Sequence, residues 1–424
     1  MDGQKGSKVK RRKVFYIPGY DPIHPRRYRE LYRSEGAEQA QILGYDLRLS
    51  AKPSKEGRYG WRVAAVIDGT ATKTEVEVLV WSDIVRGSME TGVLGTYRQL
   101  FSTAWTYIGS GTLWRLMRLR AGPVIAALYP IVFLLAQLAI AIAMLFFTWW
   151  LMFQAFAMIT AAIVGPFLFG PFFVVRIFIA LAFGIGAAGL TLHLFRKHDN
   201  RFYAYYLMHD YAYSAQSKGA IPDDLEGRMA EFTEVIAAAL KEDLDEVLLV
   251  GHSSGAHLGV SILSDLIRAS GVPADGPALS FLSLGHVVPM VSFLPDAWRL
   301  RQDLQFLGTS DALTWVDVTA PADGCAFALC HPVNVTGVAA GATHAPLVVS
   351  AAFSQTLSAE KWASLKRRYF RIHFQYLCAF DRPGDYDYFQ ITGGPVTLAD
   401  RYKDRRPSPS MIDTPTSKFR STAP

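Results

Sequence analysis

The sequence predicts an α/β fold, a mostly parallel sheet with helices on both faces, carrying an inserted two-helix transmembrane hairpin. Three observations predict it. Short apolar, strand-like runs alternate with helix-periodic stretches in both halves of the chain. Between them lies an uncharged block, with no Asp, Glu, Lys or Arg from Ala121 to Val175 and none again from Ile177 to Phe195. Finally, Gly251-His252-Ser253-Ser254-Gly255 stands where an apolar strand passes into a helix.

Taken in order, Val14-Phe15-Tyr16-Ile17 reads as a buried strand ending in Pro18-Gly19-Tyr20-Asp21-Pro22. It is too short to be the core of a signal peptide. Residues 26–42 are helical in pattern. Arg62–Ile67 and Glu75–Trp81 alternate as strands, with Asp68-Gly69 opening the turn between them. Leu94, Tyr97, Leu100, Phe101, Ala104, Trp105 and Ile108 recur at helical spacing. A helix over 93–119 either lies on a membrane surface or packs on the domain core. Beyond the apolar block, Pro222-Asp223-Asp224 starts a helix that continues over Leu225–Lys241. Val247–Val250 is a short buried strand, and a helix with Ala256, Gly259, Val260, Leu263, Leu266 and Ile267 on one face follows. Leu279–Leu284, Leu313–Val318 and Pro346–Ser350 complete the strands. The tail from Arg405 is rich in Pro, Ser, Thr, Lys and Arg and is expected to be disordered. The expected organisation is thus residues 1–92 and 201–404 as two parts of one domain, 93–200 as membrane insertion, and 405–424 as tail.

A spanning helix needs about 20 apolar residues, so the block accommodates two or three. Strands assigned to one sheet lie on both sides of it, so both ends belong on one side of the membrane and the count is even. Two spans follow, near Val124–Trp150 and Phe167–Phe195, with Gly165-Pro166 and Gly170-Pro171 as candidate breaks. Arg176 then either reaches the far interface or marks a later start of the second span. Arg115, Arg118 and Arg120 precede the first span, and Arg196, Lys197 and Arg201 follow the second. Lys and Arg concentrate on the cytoplasmic side of membrane proteins. This places both termini and the soluble domain in the cytoplasm, at the inner (plasma) membrane. Formal net charge is +6, with a basic start at Lys5, Lys8, Lys10, Arg11, Arg12 and Lys13. No nucleic-acid motif accompanies these cations, so the bilayer rather than nucleic acid is the expected partner. Cys325, Cys330 and Cys378 are odd in number and lack metal-ligand spacing, so neither a disulfide framework nor a metal site is expected.

The Gly-x-Ser-x-Gly motif has a geometric rationale. A serine in a tight strand-to-helix turn projects from the sheet end at the positive end of a helix. Gly251 and Gly255 leave out side chains that would collide across that turn. The Ser254 backbone N–H is then placed to meet a developing oxyanion, and Tyr20 N–H, next to Gly19 after the first strand, is the second candidate donor. A Gly/Ser-rich turn that only packs, or holds a phosphate, is the alternative; a P-loop lacks its Gly-Lys-Ser/Thr. A serine hydroxyl needs an imidazole to take its proton and a carboxylate to orient that imidazole. The order Ser, acid, His restricts the choice to residues after Ser253. Asp323, in the loop closing the strand Leu313–Val318, is preferred to Asp317 inside that strand, and Asp303 reads as a helix-surface charge. Among His257, His286, His331, His344 and His373, the last is preferred because it follows the final strand; His344 precedes that strand and stays the second choice.

These residues resemble the α/β-hydrolase superfamily over Val14–Asp21, Glu75–Asp83 and Asp224–Phe389. The carriers are Tyr16-Ile17-Pro18-Gly19-Tyr20, Gly251-His252-Ser253-Ser254-Gly255, Ala320-Pro321-Ala322-Asp323 and His373-Phe374-Gln375-Tyr376. The resemblance implies cleavage of an ester, thioester or amide through an acyl-enzyme, without metal or organic cofactor. A membrane hairpin between an early strand and the helix before the elbow departs from the family's usual lid. The expected function is a membrane-anchored serine hydrolase acting on apolar acyl or ester substrates. The alternatives are acyl transfer and a non-catalytic scaffold or partner-binding protein on the same fold.

Overall fold

A computed structural model of the chain describes residues 8–53, 57–164 and 169–424. Lys5, the Gly165-Pro166 break and the start of the second span at Phe167 lie outside the described residues. The chain divides into two compact units, one of Met1–Ser88, Trp105–Ile125 and Ser214–Pro424, the other of Met89–Ala104 and Ala126–Tyr213.

The first unit is an α/β fold on an eight-stranded sheet. Its strands are β1 (Arg11–Ile17), β2 (Asp46–Ala51), β3 (Gly60–Ile67), β4 (Thr70–Val78), β5 (Glu246–His252), β6 (Ala278–Leu284), β7 (Thr314–Thr319) and β8 (Leu347–Ser350). They lie in the order β2-β3-β4-β1-β5-β6-β7-β8. Only β3 runs against its neighbours; every other adjacent pair is parallel. All seven residues of β5 are buried. A strand covered on both faces reads as a continuous apolar run rather than an alternating one. One face carries Val14, Tyr16, Val76, Val78, Leu248 and Val250 toward Tyr28 and Tyr32 of the helix Arg26–Leu43. On the other, Leu249 and Phe281 meet Gly259 of the helix Ser254–Ser270.

β2 is an element that the sequence pattern does not announce. It pairs with β3 from Asp46↔Val66 to Ala51↔Trp61 at the sheet edge and is largely exposed. The hairpin turn at Asp68-Gly69 does form, with both residues at positive φ (49° and 69°). β4 ends at Val78, three residues short of the expected Trp81, and begins at Thr70 rather than Glu75.

A charged pair is buried at the start of the two central strands. Arg12 Nε donates to Glu246 Oε2 at 2.6 Å, both side chains being fully buried. The remaining Arg12 nitrogens donate to Gly394 O and Val396 O, each at 2.7 Å. Glu246 Oε1 accepts from Ser280 Oγ and Leu398 N. The C-terminal segments are thereby tied to the sheet.

The tail is a correction. Instead of being disordered, residues after Arg405 run extended along the domain. Ser408 N donates to Val348 O, Ile412 N to Leu329 O, and Thr416 N to Val335 O. Its polar composition is compensated by backbone partners supplied by β8, a short helix (Pro332–Thr336) and the loop at Leu329.

The second unit holds most of one helix, Ala121–Val164, and all of another, Phe169–Lys197; both are long and apolar enough to cross a membrane, and little of either is buried. The first has 44 residues, well past the expected Val124–Trp150. It rises about 66 Å, roughly twice a hydrocarbon core. Gly170-Pro171 does not interrupt the second, because Pro171 falls in its first turn, where no intrahelical N–H is needed. The helices approach closely at Gly184, where a Cβ would stand 2.7 Å from Leu145 O. Arg176 is 4% exposed, its guanidinium 5.1 Å from the Phe153 ring centre and 5.7 Å from that of Phe173. It is wedged between these aromatic rings, with one nitrogen 3.5 Å from Thr160 Oγ1. In the helix Val93–Gly109, Tyr97 and Leu100 are buried with Leu134 and Met208, while Leu94, Phe101, Trp105 and Ile108 are exposed.

Removing one partner of the buried pair leaves an uncompensated charge. Glu246→Ala is therefore expected to cost about 3–5 kcal/mol, read as a lowered urea midpoint by tryptophan fluorescence. Asp243→Ala, which removes the exposed partner of Arg11, should leave that midpoint nearly unchanged.

Candidate active site

β5 delivers Ser253 into a sharp bend. Its φ of 56° and ψ of −119° lie outside the helical and extended regions. For a serine such a backbone costs on the order of 1–3 kcal/mol and persists only where the surroundings impose it. Here Ser253 N donates to Leu284 O at 2.9 Å. A Cβ on Gly251 would lie 2.6 Å from Gly255 O, so that glycine is required by the turn itself. Gly255 is needed for another reason. A Cβ there would stand 2.2 Å from Ile17 O and 2.9 Å from Pro18 O, against the end of β1 rather than across the bend.

The loop after β1 lies directly on the elbow. A Cβ on Gly19 would come within 2.9 Å of Ser253 Cβ and 3.4 Å of its Oγ. The next residue, Tyr20, is held by its side chain, with its hydroxyl 2.6 Å from Ser88 Oγ and its ring edge-on to Trp81. Trp81 Nε1 in turn donates to Pro18 O at 3.0 Å. Asp21 accepts from Ile23 N, Arg27 and the Tyr28 hydroxyl, closing the loop. Ser254 opens the helix, so its N–H has no carbonyl one turn earlier to accept it. Both proposed oxyanion donors thus belong to segments in contact with Ser253.

Asp323 and His373 meet. His373 Nδ1 lies 2.8 Å from Asp323 Oδ2, and both residues are buried. Asp323 follows β7, where its own N–H donates to Ala320 O. Its Oδ1 accepts from Cys325 N at 2.9 Å, and its Oδ2 also accepts from the Tyr376 hydroxyl at 3.0 Å. Burial alone would raise the Asp323 pKa. The His373 charge and hydrogen bond, the Cys325 N–H and the Tyr376 hydroxyl outweigh it and hold the carboxyl below its usual range. With Nδ1 committed to the carboxylate, Nε2 is the ring atom left to receive a proton.

His373 is tied to the elbow through His252. His252 Nε2 is 2.9 Å from His373 O, and the two rings are 4.7 Å apart. Burial, then the neighbouring His373 charge, push His252 down to about 3. It is therefore neutral and donates this bond. Gly285, just past the carbonyl that accepts from Ser253 N, packs against both His373 and Tyr376. No hydrogen bond joins Ser253 Oγ to His373 among the described residues; catalytic hydrogen bonds often tighten only with substrate present.

The remaining candidates lie elsewhere. His344 is half-exposed and faces Asp311 at 3.1 Å. His286 and Asp317 form a separate buried pair at 3.6 Å, with Ser283 Oγ donating to Asp317 Oδ1. His331 caps a short helix by accepting from Asn334 N. His257 lies in the helix after the elbow, with a buried Nδ1. Asp303 is not a surface charge; it is fully buried between Arg268 and Arg299. Among the described residues, Asp323, Cys325 and His373 form one group with potential ligand atoms within 4.8 Å of one another, but the His373 Nδ1 and Asp323 Oδ2 atoms are already bonded to each other.

Tyr376 and His252 stand inside the segments that carry the resemblance, but sequence reasoning gives neither a role. Tyr376 lies three residues after His373, a helical spacing that puts both on one side of a turn. His252 precedes the serine and so falls outside a search confined to later residues.

The sign of the Asp323 shift sets its pH dependence. Its folded pKa is below its unfolded value, so the carboxylate stabilises the fold above about pH 4 and this contribution is lost as pH falls through the folded pKa. The stability gap between wild type and Asp323→Asn should accordingly be widest near neutrality and close on acidification, as followed by urea unfolding at stepped pH.

Comparison of the chain with family models, curated proteins and solved structures found no match in any of the three.

Proposed function

We propose that this protein is a membrane-anchored serine hydrolase of the α/β-hydrolase type, cleaving ester substrates with an apolar acyl group. The observation that carries this reading is the buried 2.8 Å His373–Asp323 bond beside an elbow that holds Ser253 at positive φ. In this reading Ser253 Oγ attacks the acyl carbonyl while His373 Nε2 takes its proton. Asp323 keeps the imidazole in the required tautomer and stabilises the imidazolium. The oxyanion forms against the N–H groups of Tyr20 and Ser254. Collapse returns the proton to the departing alcohol and leaves an acyl-serine, which water then opens by the same steps. The sheet supports the family reading through its single antiparallel strand next to the edge and the chain order Ser253, Asp323, His373.

The two long apolar helices support anchoring in a bilayer. The cations before the first and after the second support a cytoplasmic hydrolase domain at the inner membrane. Of these, Arg120 also serves the fold, its Nε donating to Ala328 O at 2.9 Å. Anchoring would hold the site close to lipid-borne esters.

A fluorophosphonate probe should label the wild type and fail to label Ser253→Ala. Asp323→Asn should lower kcat on p-nitrophenyl esters on the order of 10⁴-fold, while Tyr376→Phe, which removes one of three donors to that carboxylate, should cost far less. A folded wild type that takes up no probe would instead indicate a scaffold without turnover.

A further inference from the structure

The second unit contains a cavity of about 410 Å³ between its two long helices. Its walls are Ile140 and Met144 from the first and Leu194 and Phe195 from the second, with His198 and Arg201 at the end where the second helix stops. Apart from Thr191, whose hydroxyl donates to Ala187 O at 2.8 Å, the site is therefore apolar along the helices, and it is cationic where the second helix stops. A helix of bilayer length ends at the depth of the lipid headgroups.

The charge at that end is available. Arg201 is exposed, and among the described residues no carboxylate pairs with its guanidinium. The nearest acid along the sequence, Asp199, is engaged by backbone N–H groups. Its carboxylate accepts from Tyr205 N at 3.0 Å and Tyr206 N at 3.1 Å, starting the next helix. His198 Nδ1 bonds Leu194 O at 2.8 Å, which fixes the ring on the last helical turn and leaves Nε2 for a ligand. Exposed Arg196 and Lys197 add two further positive charges at the same terminus.

We propose that this cavity binds a glycerophospholipid with an anionic headgroup. An acyl chain lies against Ile140, Met144 and Leu194, and the phosphate sits at Arg201 and His198. A soluble apolar ligand would leave the cations unmatched, and a soluble phosphate would leave the apolar walls in water; a charged lipid satisfies both. The inference rests on the reading that the two helices cross a bilayer.

The test uses the full chain purified in detergent, exposed to phosphatidylglycerol or phosphatidylcholine of identical acyl chains, with retained lipid counted by native mass spectrometry. Phosphatidylglycerol should be retained roughly fivefold better. Arg201→Ala should remove the preference, and Met144→Trp, which fills the cavity, should lower retention of both lipids. Equal retention of the two lipids, or a preference unchanged in Arg201→Ala, overturns the proposal. Displacement of phosphatidylglycerol by glycerol 3-phosphate alone overturns the lipid as the source of the phosphate. A dimer that Met144→Trp dissociates assigns the cavity to a second copy of the chain and overturns it as well. Alkaline carbonate extraction of membranes separates the two levels. Release of the protein defeats the bilayer reading itself, whereas a retained protein without lipid preference defeats only this inference.

Discussion

The site depends on how closely the end of β1 presses on the bend after β5. Gly255 stands with no room for a methyl group against Ile17 O, and Gly19 occupies the same position against Ser253. This double approach does two things at once. It imposes a serine backbone that would otherwise relax, and it carries the Gly19-Tyr20 loop onto the hydroxyl. Because β1 is hydrogen-bonded to both β4 and β5, the contact is set by the centre of the sheet rather than by a surface loop. The strain at residue 253 is thus held by the most buried part of the molecule.

The histidine side is built from different material. β7 supplies Asp323, and a short helical turn after β8 supplies His373. Two further groups fix their relation. Tyr376 accepts from Ala320 N and donates to Asp323, so one hydroxyl joins the loop to the acid. His252 grips the His373 backbone from the elbow. Each group constrains a neighbour's position, which is how a buried carboxylate and imidazole keep one geometry between a loop and a short helical turn. The lowered Asp323 pKa follows from the same contacts, because a carboxylate with three donors is solvated by protein in place of water.

Much of this is legible in the residues. The central strands are continuous apolar runs, and the elbow is local, so Val247–Val250 and Gly251–Gly255 stand out without tertiary information. Chain order together with position relative to the late strands favours Asp323 and His373, the two residues found in hydrogen-bonding contact. What is not legible depends on packing. β2 is an edge strand with mostly exposed residues, so burial imprints little pattern on it. The tail reads as disordered because polar, proline-rich composition says nothing about the carbonyls of Val348, Leu329 and Val335 waiting to accept its N–H groups. The first long helix overruns its expected end because no charged residue marks where apolar sequence ceases to be membrane length. Tyr376 and His252 contribute through their partners; both stand inside the segments that carry the resemblance, but at positions whose residue type those patterns leave open.

The buried Arg12–Glu246 pair unites residues 234 positions apart, with both long apolar helices between them. Strands β1 to β4 leave the ribosome well before β5 exists, and β1 must keep one open edge during that interval. An unpaired parallel edge is a template for wrong partners. Synthesis order therefore makes the apolar insert a timing element, since the central ladder can close only after the whole insert has emerged. Any delay in lodging those helices prolongs the exposure of β1.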